Sequence, residues 1–518
     1  MSEPVAPIDS SNGKQRNGSV EVYAVYGAEP EIQAYAMAKY SRSALSMKES
    51  LEEISQQKAE KFLNTFYFQY GHRSIADLAH VAMAIERLSI LAAIAVVDQQ
   101  RWDGQERSTR YQDFKKSGYF VPDFEEDGPA LELYQRSVRE LFREYETYSE
   151  RMFRYLQQIT PPPQNMKPET YERTLRARAF DISRYLLPLA TNTSLGEIVN
   201  ARTLESQISQ LLSHTHREVR ELGERLKRAA TSPAYHAGQK PLTELVNAIR
   251  AVSPELGARA EGELLREIRV APTLVKYADP NPYERETRRE LRQCAKQLMG
   301  DTPVDRAPSV DLLEEEPLEI ELATTLVYEH SQYPYRQIRT AISEGGEKAR
   351  REIIDLGLRH RGQHDEMRRA FCAGQAFRFD ILMDVGGFRD MHRHRRCIQI
   401  LQDFTTRHGY DTPEEVNDAG LADQYHAVMG RAAAAVETLS RSQGGEAGEN
   451  AQYAIPLGFR KRTLFKMDFA EVVYIAELRT APAGNRSYRN VAYACSRRSR
   501  RNIPRSRSSS ACMTCGSP

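Results

Sequence analysis

A proline break repeated at long range is the strongest constraint on this chain. Pro188 closes Arg184-Tyr-Leu-Leu-Pro188 and is followed twelve residues later by Asn200; Pro456 closes Ala454-Ile-Pro456 and is followed twelve residues later by Asp468. Proline lacks an N–H and its ring clashes with the preceding turn, so each break ends any helix leading into it. A spacing that recurs over so long a period, far beyond solenoid repeats, implies duplication of a whole domain. The 518 residues suffice for two domains, and 40% apolar content gives each a core.

The expected organisation follows from composition along the chain. Residues 1–18, rich in Ser, Asn, Gly and Pro, read as a disordered leader, and 19–230 as the first domain. Pro-rich corners and the acidic run Glu314–Glu316 mark 231–316 as a linker with some helix. The second domain spans 317–495, and the Arg/Ser tail 496–518 reads as disordered or altered in frame. Helical periodicity covers 31–64, 128–160 (stopped by Pro161-Pro162-Pro163), 168–230 with its break at Leu187-Pro188, 334–360 and 414–441. The apolar segments Val81 to Val97 and Phe377 to Met383 are too short for pattern alone to separate strand from helix.

Charge narrows the partners. Lys and Arg total 72 against 71 Asp and Glu, a net charge of +1, so nothing global argues for nucleic-acid or membrane binding, and neither is expected. The best apolar run, Leu88 to Val97, cannot span a bilayer. Six scattered cysteines suit reduced thiols, so a soluble cytoplasmic protein is expected. No Gly-rich dinucleotide or Walker loop is present, and Cys512-x-x-Cys515 is a lone pair, so no metal site is expected.

Motifs supply the chemistry. The first half carries Gly71-His72-Arg73-Ser74, then Gln105-Glu106-Arg107-Ser108-Thr109-Arg110-Tyr111, then Arg184-x-x-Leu-Pro188 and Asn200-Ala-Arg202. The second carries Arg393-His394-Arg395 and, eleven residues beyond Asp468, Arg479. Together these resemble the flavin-dependent thymidylate synthases (the ThyX family), in which Arg-His-Arg and Gln-Glu-x-Ser-x-Arg-Tyr form one contiguous motif. Here the motif looks divided between two halves. The first half has Asp98-Gln99-Gln100 in place of Arg-His-Arg, and Leu211 in place of the catalytic arginine. The second has Leu401-Gln-Asp403-Phe-Thr405 in place of Glu-x-Ser-x-Arg, and Gln452 in place of the arginine of Arg-x-x-Leu-Pro. A second Arg-His-Arg, Arg359-His360-Arg361, sits on a charged helix pattern and reads as a solvated face.

The resemblance implies an α+β fold: two tandem domains, each mostly helical around a small mixed or antiparallel sheet. It implies an enzyme that methylates dUMP reductively to dTMP with FAD, reduced nicotinamide (NADPH) and methylenetetrahydrofolate. Gln105, Glu106, Ser108, Arg110, Arg184, Arg393 and Asp390 would hold dUMP, Asp390 standing where the family has a nucleotide-binding Gln. His72, Ser74, Asn200, Arg202, His394 and Arg395 would hold FAD, and Arg479 would be catalytic. A homodimer of tandem chains would rebuild the family's tetramer.

The residue types suit these roles. Arginine binds phosphate oxygens bidentately, so Arg110, Arg184 and Arg393 converging on one pocket would hold a nucleotide monophosphate, with Ser108 as a small donor. An arginine against the pyrimidine, Arg479, would polarise it. Cys397, beside Arg-His-Arg, reads as structural rather than nucleophilic. The rival reading is a non-catalytic or repurposed homologue that binds nucleotide or flavin. Asp98-Gln99-Gln100, Leu211, Asp390 and Asp403 favour it, whereas the complementarity of the two sets of losses favours the enzyme.

Overall fold

The two proline breaks lie against each other. In the computed structural model Pro188 and Pro456 form an antiparallel bridge. Around it the backbone bonds come in matched pairs: Leu189 N–H to Ile455 O at 2.9 Å and Leu457 N–H to Leu187 O at 2.8 Å, then Ala190 N–H to Tyr453 O and Gly458 N–H to Tyr185 O, both 2.8 Å. Each bond is the image of its partner when residue 188 is laid on 456, so a local two-fold axis passes through the bridge. Glycine at 458 leaves room that a Cβ would fill, 2.8 Å from the Tyr425 hydroxyl and 3.1 Å from the Tyr185 carbonyl oxygen. The structure describes residues 23, 25, 27–39, 47–53 and 73–499, less 126, 301, 363, 364, 366, 443, 444 and 483. The leader, His72 and the tail beyond 499 lie outside the described residues.

Each half holds one antiparallel sheet. In the first, strands β1 (His80–Ser89), β2 (Asp103–Glu106) and β3 (Asn192–Asn200) pair in the order β1-β3-β2. In the second, β4 (Val310–Leu313), β5 (Phe377–Asp384), β6 (Ile398–Leu401) and β7 (Arg460–Met467) pair as β4-β5-β7-β6. The registers agree under the same superposition. Glu106 faces Leu195, and Leu401 faces Thr463. Leu401, Asp403 and Thr405 therefore stand where the first half has Glu106, Ser108 and Arg110.

The helices repeat as well. Helix α1 (Ile90–Val97) is capped by Ser89, whose hydroxyl accepts from Ala92 N–H at 2.9 Å. Two helices, α2 (Gly128–Ile159) and α3 (Pro168–Ser183), lead to the first proline break. After β3, Asn200 caps α4 (Ala201–Leu212) by accepting from Thr203 N–H at 2.8 Å. Helix α5 (Pro282–Met299) lies between the two sheets in sequence and has no counterpart among the described residues of the first half. In the second half Asp384 caps α6 (Val385–Met391) through Gly387 N–H at 2.7 Å, the long helix is α7 (Ala422–Ser442), and Asp468 caps α8 (Phe469–Arg479) through Glu471 N–H at 2.9 Å. Helix α9 (Arg486–Ser499) follows. Side-chain oxygens at these caps satisfy N–H groups that a helix start leaves unpaired.

The core runs through both halves. Leu187, Leu189, Ile455 and Leu457 are buried around the bridge in one hydrophobic cluster that also takes in Tyr148 of α2 and Tyr425 of α7. The Tyr148 hydroxyl donates to Leu421 O at 2.9 Å, tying the two long helices. A smaller cluster joins Leu291 of α5 to Ile400 and Leu464 of the second sheet.

Several expectations about elements are corrected. The segment Val81 to Val97 is both things in turn: strand to Ser89, helix from Ile90. The stretch 168–230 is not helical throughout, because β3 lies inside it. The helix expected over 334–360 breaks where Gly346 takes φ +75°, and the one over 414–441 breaks where Gly420 takes φ +67°. Positive φ of this kind suits glycine, which has no Cβ to clash. Among the described residues no helix is long and apolar enough to cross a membrane.

Candidate functional site

Side chains from both halves meet beside the proline bridge. The turn after β2 is set by Arg107 N–H donating to Ser194 O at 2.9 Å, and by the Ser108 hydroxyl accepting from Arg110 N–H at 3.2 Å. This turn points Glu106, Thr109 and Arg110 towards the second half. Arg184, on a short turn at the end of α3, is 2% exposed. Its Nε lies 3.2 Å from Asp181 Oδ1, its Nη2 3.6 Å from Asp390 Oδ2, and its Nη1 3.4 Å from the Thr109 hydroxyl. Arg389, on α6, reaches back to pair with Glu106 and to donate to the same Thr109 hydroxyl at 3.3 Å. The contacts thus cross between halves in both directions.

Tyr488 closes the arrangement. Its hydroxyl accepts from Arg110 Nη1 at 3.3 Å, and the Arg479 guanidinium lies 5.5 Å from its ring centre, a cation–π distance. Arg110 also sits 3.2 Å from Asp181, which bridges it to Arg184. Arg479 Nε donates to His394 Nε2 at 2.8 Å, and His394 Nδ1 faces Glu471 Oε1 at 3.0 Å. Because Nε2 accepts, Nδ1 carries the proton and donates to Glu471, so the imidazole is neutral. Burial lowers the His394 pKa, consistent with that state.

Electrostatics show a dense, balanced cluster. Burial opposes the charge on Arg184, but Asp181 and then Asp390 outweigh it and its pKa is raised. Arg110 behaves the same way, burial being outweighed by Asp181 and Tyr488 together, with Asp390 adding to them. Asp384 is fully buried beside Arg184, caps α6 and accepts from the Ser487 hydroxyl. Burial, with Asp411 adding to it, pushes its carboxyl up to about 6. Four carboxylates (Glu106, Asp181, Asp384, Asp390) thus face Arg110, Arg184 and Arg389. A cleft of about 1700 Å³ opens on this cluster, its walls including Arg110, Tyr111, Asp181, Tyr185, Met383 and Ser487. Pockets for one small ligand run to roughly 300–1,000 Å³, so the cleft has room for more than one.

The expected site residues divide clearly. Glu106, Arg110, Arg184, Asp390, His394 and Arg479 come together. Ser108 joins through its own turn, and Gln105 is exposed on β2. Arg393 is exposed, and Arg389 one turn earlier enters the cluster in its place. Of the remaining expected flavin residues, Ser74 is exposed and Asn200 is occupied as a helix cap. Arg202 Nη1 lies 3.3 Å from Asp77. Arg395 stacks over the Trp102 ring at 5.0 Å, and burial lowers its pKa to about 10. Cys397 is buried, its thiol donates to His394 O at 3.0 Å, and burial pushes it up to about 12, as a structural thiol requires. The second Arg-His-Arg forms surface pairs, Arg359 and His360 meeting Glu290 at 3.2 and 3.1 Å. Arg389, Asp384, Asp181, Tyr488 and Glu471 were not legible as site residues. Arg389 and Asp384 lie in Asp384-Val-Gly-Gly-Phe-Arg389 ahead of Arg393, and Asp181 stands three residues before Arg184 of Arg184-x-x-Leu-Pro188.

Comparison with known proteins gives this geometry a family. A UPF0159 protein of Chlamydia pneumoniae is 27% identical over 508 residues, 92% of this chain and 88% of that one. A flavin-dependent thymidylate synthase of Clostridium tetani is 24% identical over 181 residues, 35% of this chain and 68% of that one. Among solved structures, flavin-dependent thymidylate synthase ThyX from Helicobacter pylori, complexed with FAD and dUMP, aligns at 17% identity and TM-score 0.26, covering 39% of this chain and 89% of that one. The model of the thymidylate synthase complementing proteins matches twice, over 23–233 and 311–505. The chain belongs to that family, the ThyX family, as a tandem duplication of its domain.

Proposed function

We propose that the chain is a flavin-dependent thymidylate synthase with one composite site per chain, converting dUMP to dTMP. The observation that carries this reading is the meeting of Glu106, Arg110 and Arg184 from one half with Arg389, Asp390 and Arg479 from the other. Arg110 borders the cleft and is placed to pair with a nucleotide phosphate, with Arg184 behind it. Such a phosphate would take over partners now supplied by Asp181 and Asp390. Arg479, oriented by His394 and Glu471, would present its remaining N–H groups to the pyrimidine carbonyl and stabilise charge developing there.

FAD fits the residues in part. Arg202, a third exposed, lies beside the turn carrying Ser74 and offers a cation and a hydroxyl for a diphosphate, while Arg395 and His394 belong to the other half. Bound there, FAD would supply hydride, replenished from NADPH, and methylenetetrahydrofolate would supply the carbon. Two chains forming a homodimer would rebuild a four-domain assembly.

Purified protein given dUMP, methylenetetrahydrofolate, FAD and NADPH should form dTMP. Absence of dTMP under these conditions, with flavin demonstrably bound, would overturn the reading. The second reading, a homologue that binds nucleotide or flavin without turnover, is favoured by the carboxylates already filling the arginine cluster. It requires binding of dUMP or FAD with no product.

A further inference from the structure

The two-fold relation creates a second place where a composite site should stand, and a different pocket occupies it. Under the same superposition, Leu211 replaces Arg479, Gln99 replaces His394 and Thr203 replaces Glu471. Ile400 and Leu401 replace Gln105 and Glu106. The machinery is gone, yet the space has not collapsed. A cavity of about 450 Å³ remains, with Leu211, Ile400 and Leu401 among its walls.

What lines the rest of it is cationic. Arg288 comes from α5, which has no counterpart among the described residues of the first half; Arg368 and Arg369 come from the segment before β5, and Arg202, which the FAD reading also uses, lies on the same wall paired with Asp77. The wall carboxylates are engaged: Glu284 and Glu329 by Arg368, Asp98 by Arg369. Arg288 is served poorly, by the Ser213 carbonyl at 3.0 Å and Glu284 only at 4.0 Å. Burial and the neighbouring Arg368 lower its pKa, the mark of a cation short of negative charge. His214 also lines the cavity. Its Nδ1 accepts from His216 N–H at 3.1 Å, which leaves the proton on Nε2 as a neutral donor.

We propose that this cavity is a second, non-catalytic ligand site, taking a phosphate monoester of mononucleotide size. Arg288 and His214 hold the phosphate, and the apolar wall of Leu211, Ile400 and Leu401 packs against the rest. A dianion adds the charge that Arg288 lacks without breaking an existing pair. The volume lies within the range of small-molecule pockets, roughly 300–1,000 Å³. With the residues of the catalytic machinery replaced, the bound monoester would not react.

Calorimetric titration of the full-length protein with dUMP, and separately with inorganic phosphate, tests this. Phosphate alone should bind through the same Arg288, and dUMP more tightly because it also covers the apolar wall. Wild type should bind dUMP at a site that survives Arg110→Gln and weakens roughly tenfold or more in Arg288→Gln. Arg288→Lys, which keeps the charge and guards against loss of fold, should retain most of the binding. An Arg110→Gln protein with no remaining site for dUMP or phosphate would overturn the proposal, as would Arg288→Gln binding both like wild type. Neither outcome depends on turnover at the composite site.

Discussion

At the scale of single residues, the site is governed by buried charges whose partners come from the opposite half. Asp384 has a raised pKa of about 6 against 3.8 for an ordinary Asp, so its ionisation works against the fold. Stability from this group is fully present below about pH 4 and is lost as pH rises through about 6. Asp384→Asn keeps the cap on Gly387 and cannot ionise. Its melting temperature should gain on wild type between pH 4 and 7, by the equivalent of about 2–3 kcal/mol at full ionisation. A difference that stays flat across that window would remove Asp384 as the titrating group. Arg479 belongs to the same scale. Its loss should cost about 10²–10³ in turnover, as for one oxyanion-type donor, with dUMP affinity falling less because Arg110 and Arg184 remain. Arg479→Lys should rescue poorly, since an ammonium cannot both bond His394 and face a carbonyl as a planar fork does. Full turnover by Arg479→Ala would reduce it to an ion-pair residue.

At the scale of elements, the proline bridge organises everything else. Leu457 is fully buried there, and its N–H bonds Leu187 O whatever its side chain. Leu457→Ala should therefore leave the bridge intact and cost about 2–5 kcal/mol through the cavity left behind. Chemical denaturation should show one transition moving as a whole; two transitions would mean the halves are stabilised separately. The bridge was legible as a repeated spacing because proline is unmistakable in sequence. The central strands were not. In β3 burial alternates through Thr193, Leu195, Glu197 and Val199, but Glu197 interrupts the apolar pattern because it faces inward to accept from Trp102 at 2.5 Å. In β7 the charges are buried outright. Arg462 pairs with Asp380 at 2.9 Å and Lys466 with Glu321 at 2.7 Å, so a core strand reads as a polar one. Motif spacing located Glu106, Arg110, Arg184 and Arg479. It could not find Arg389 or Tyr488, whose roles depend on where a helix from the other half is laid.

At the scale of the whole molecule, the two-fold relation sets two equivalent positions, and the proposed function uses one of them. Glu106 and Arg184 of the first half pair with Arg389 and Asp390 of the second, and Arg110 reaches Arg479 through Tyr488. The reverse pairing offers Gln99, Leu211 and Leu401. Leu211→Arg tests whether that second position is one residue away from function. The new guanidinium would find Gln99 instead of His394, and Gln99 already donates to Gln210 at 2.5 Å. It would have Thr203 in place of Glu471 and Leu401 in place of Glu106, so neither its orientation nor a nucleotide contact is restored. Placed in a protein already disabled by Arg479→Ala, Leu211→Arg should therefore return no dTMP formation. Because Leu211 is 2% exposed, the added charge must reach the neighbouring cavity or cost about 1–3 kcal/mol in thermal stability. Recovery of turnover in the double variant would show that the second position kept its catalytic partners after all, and that a single lost arginine, not a rebuilt pocket, separates the two halves.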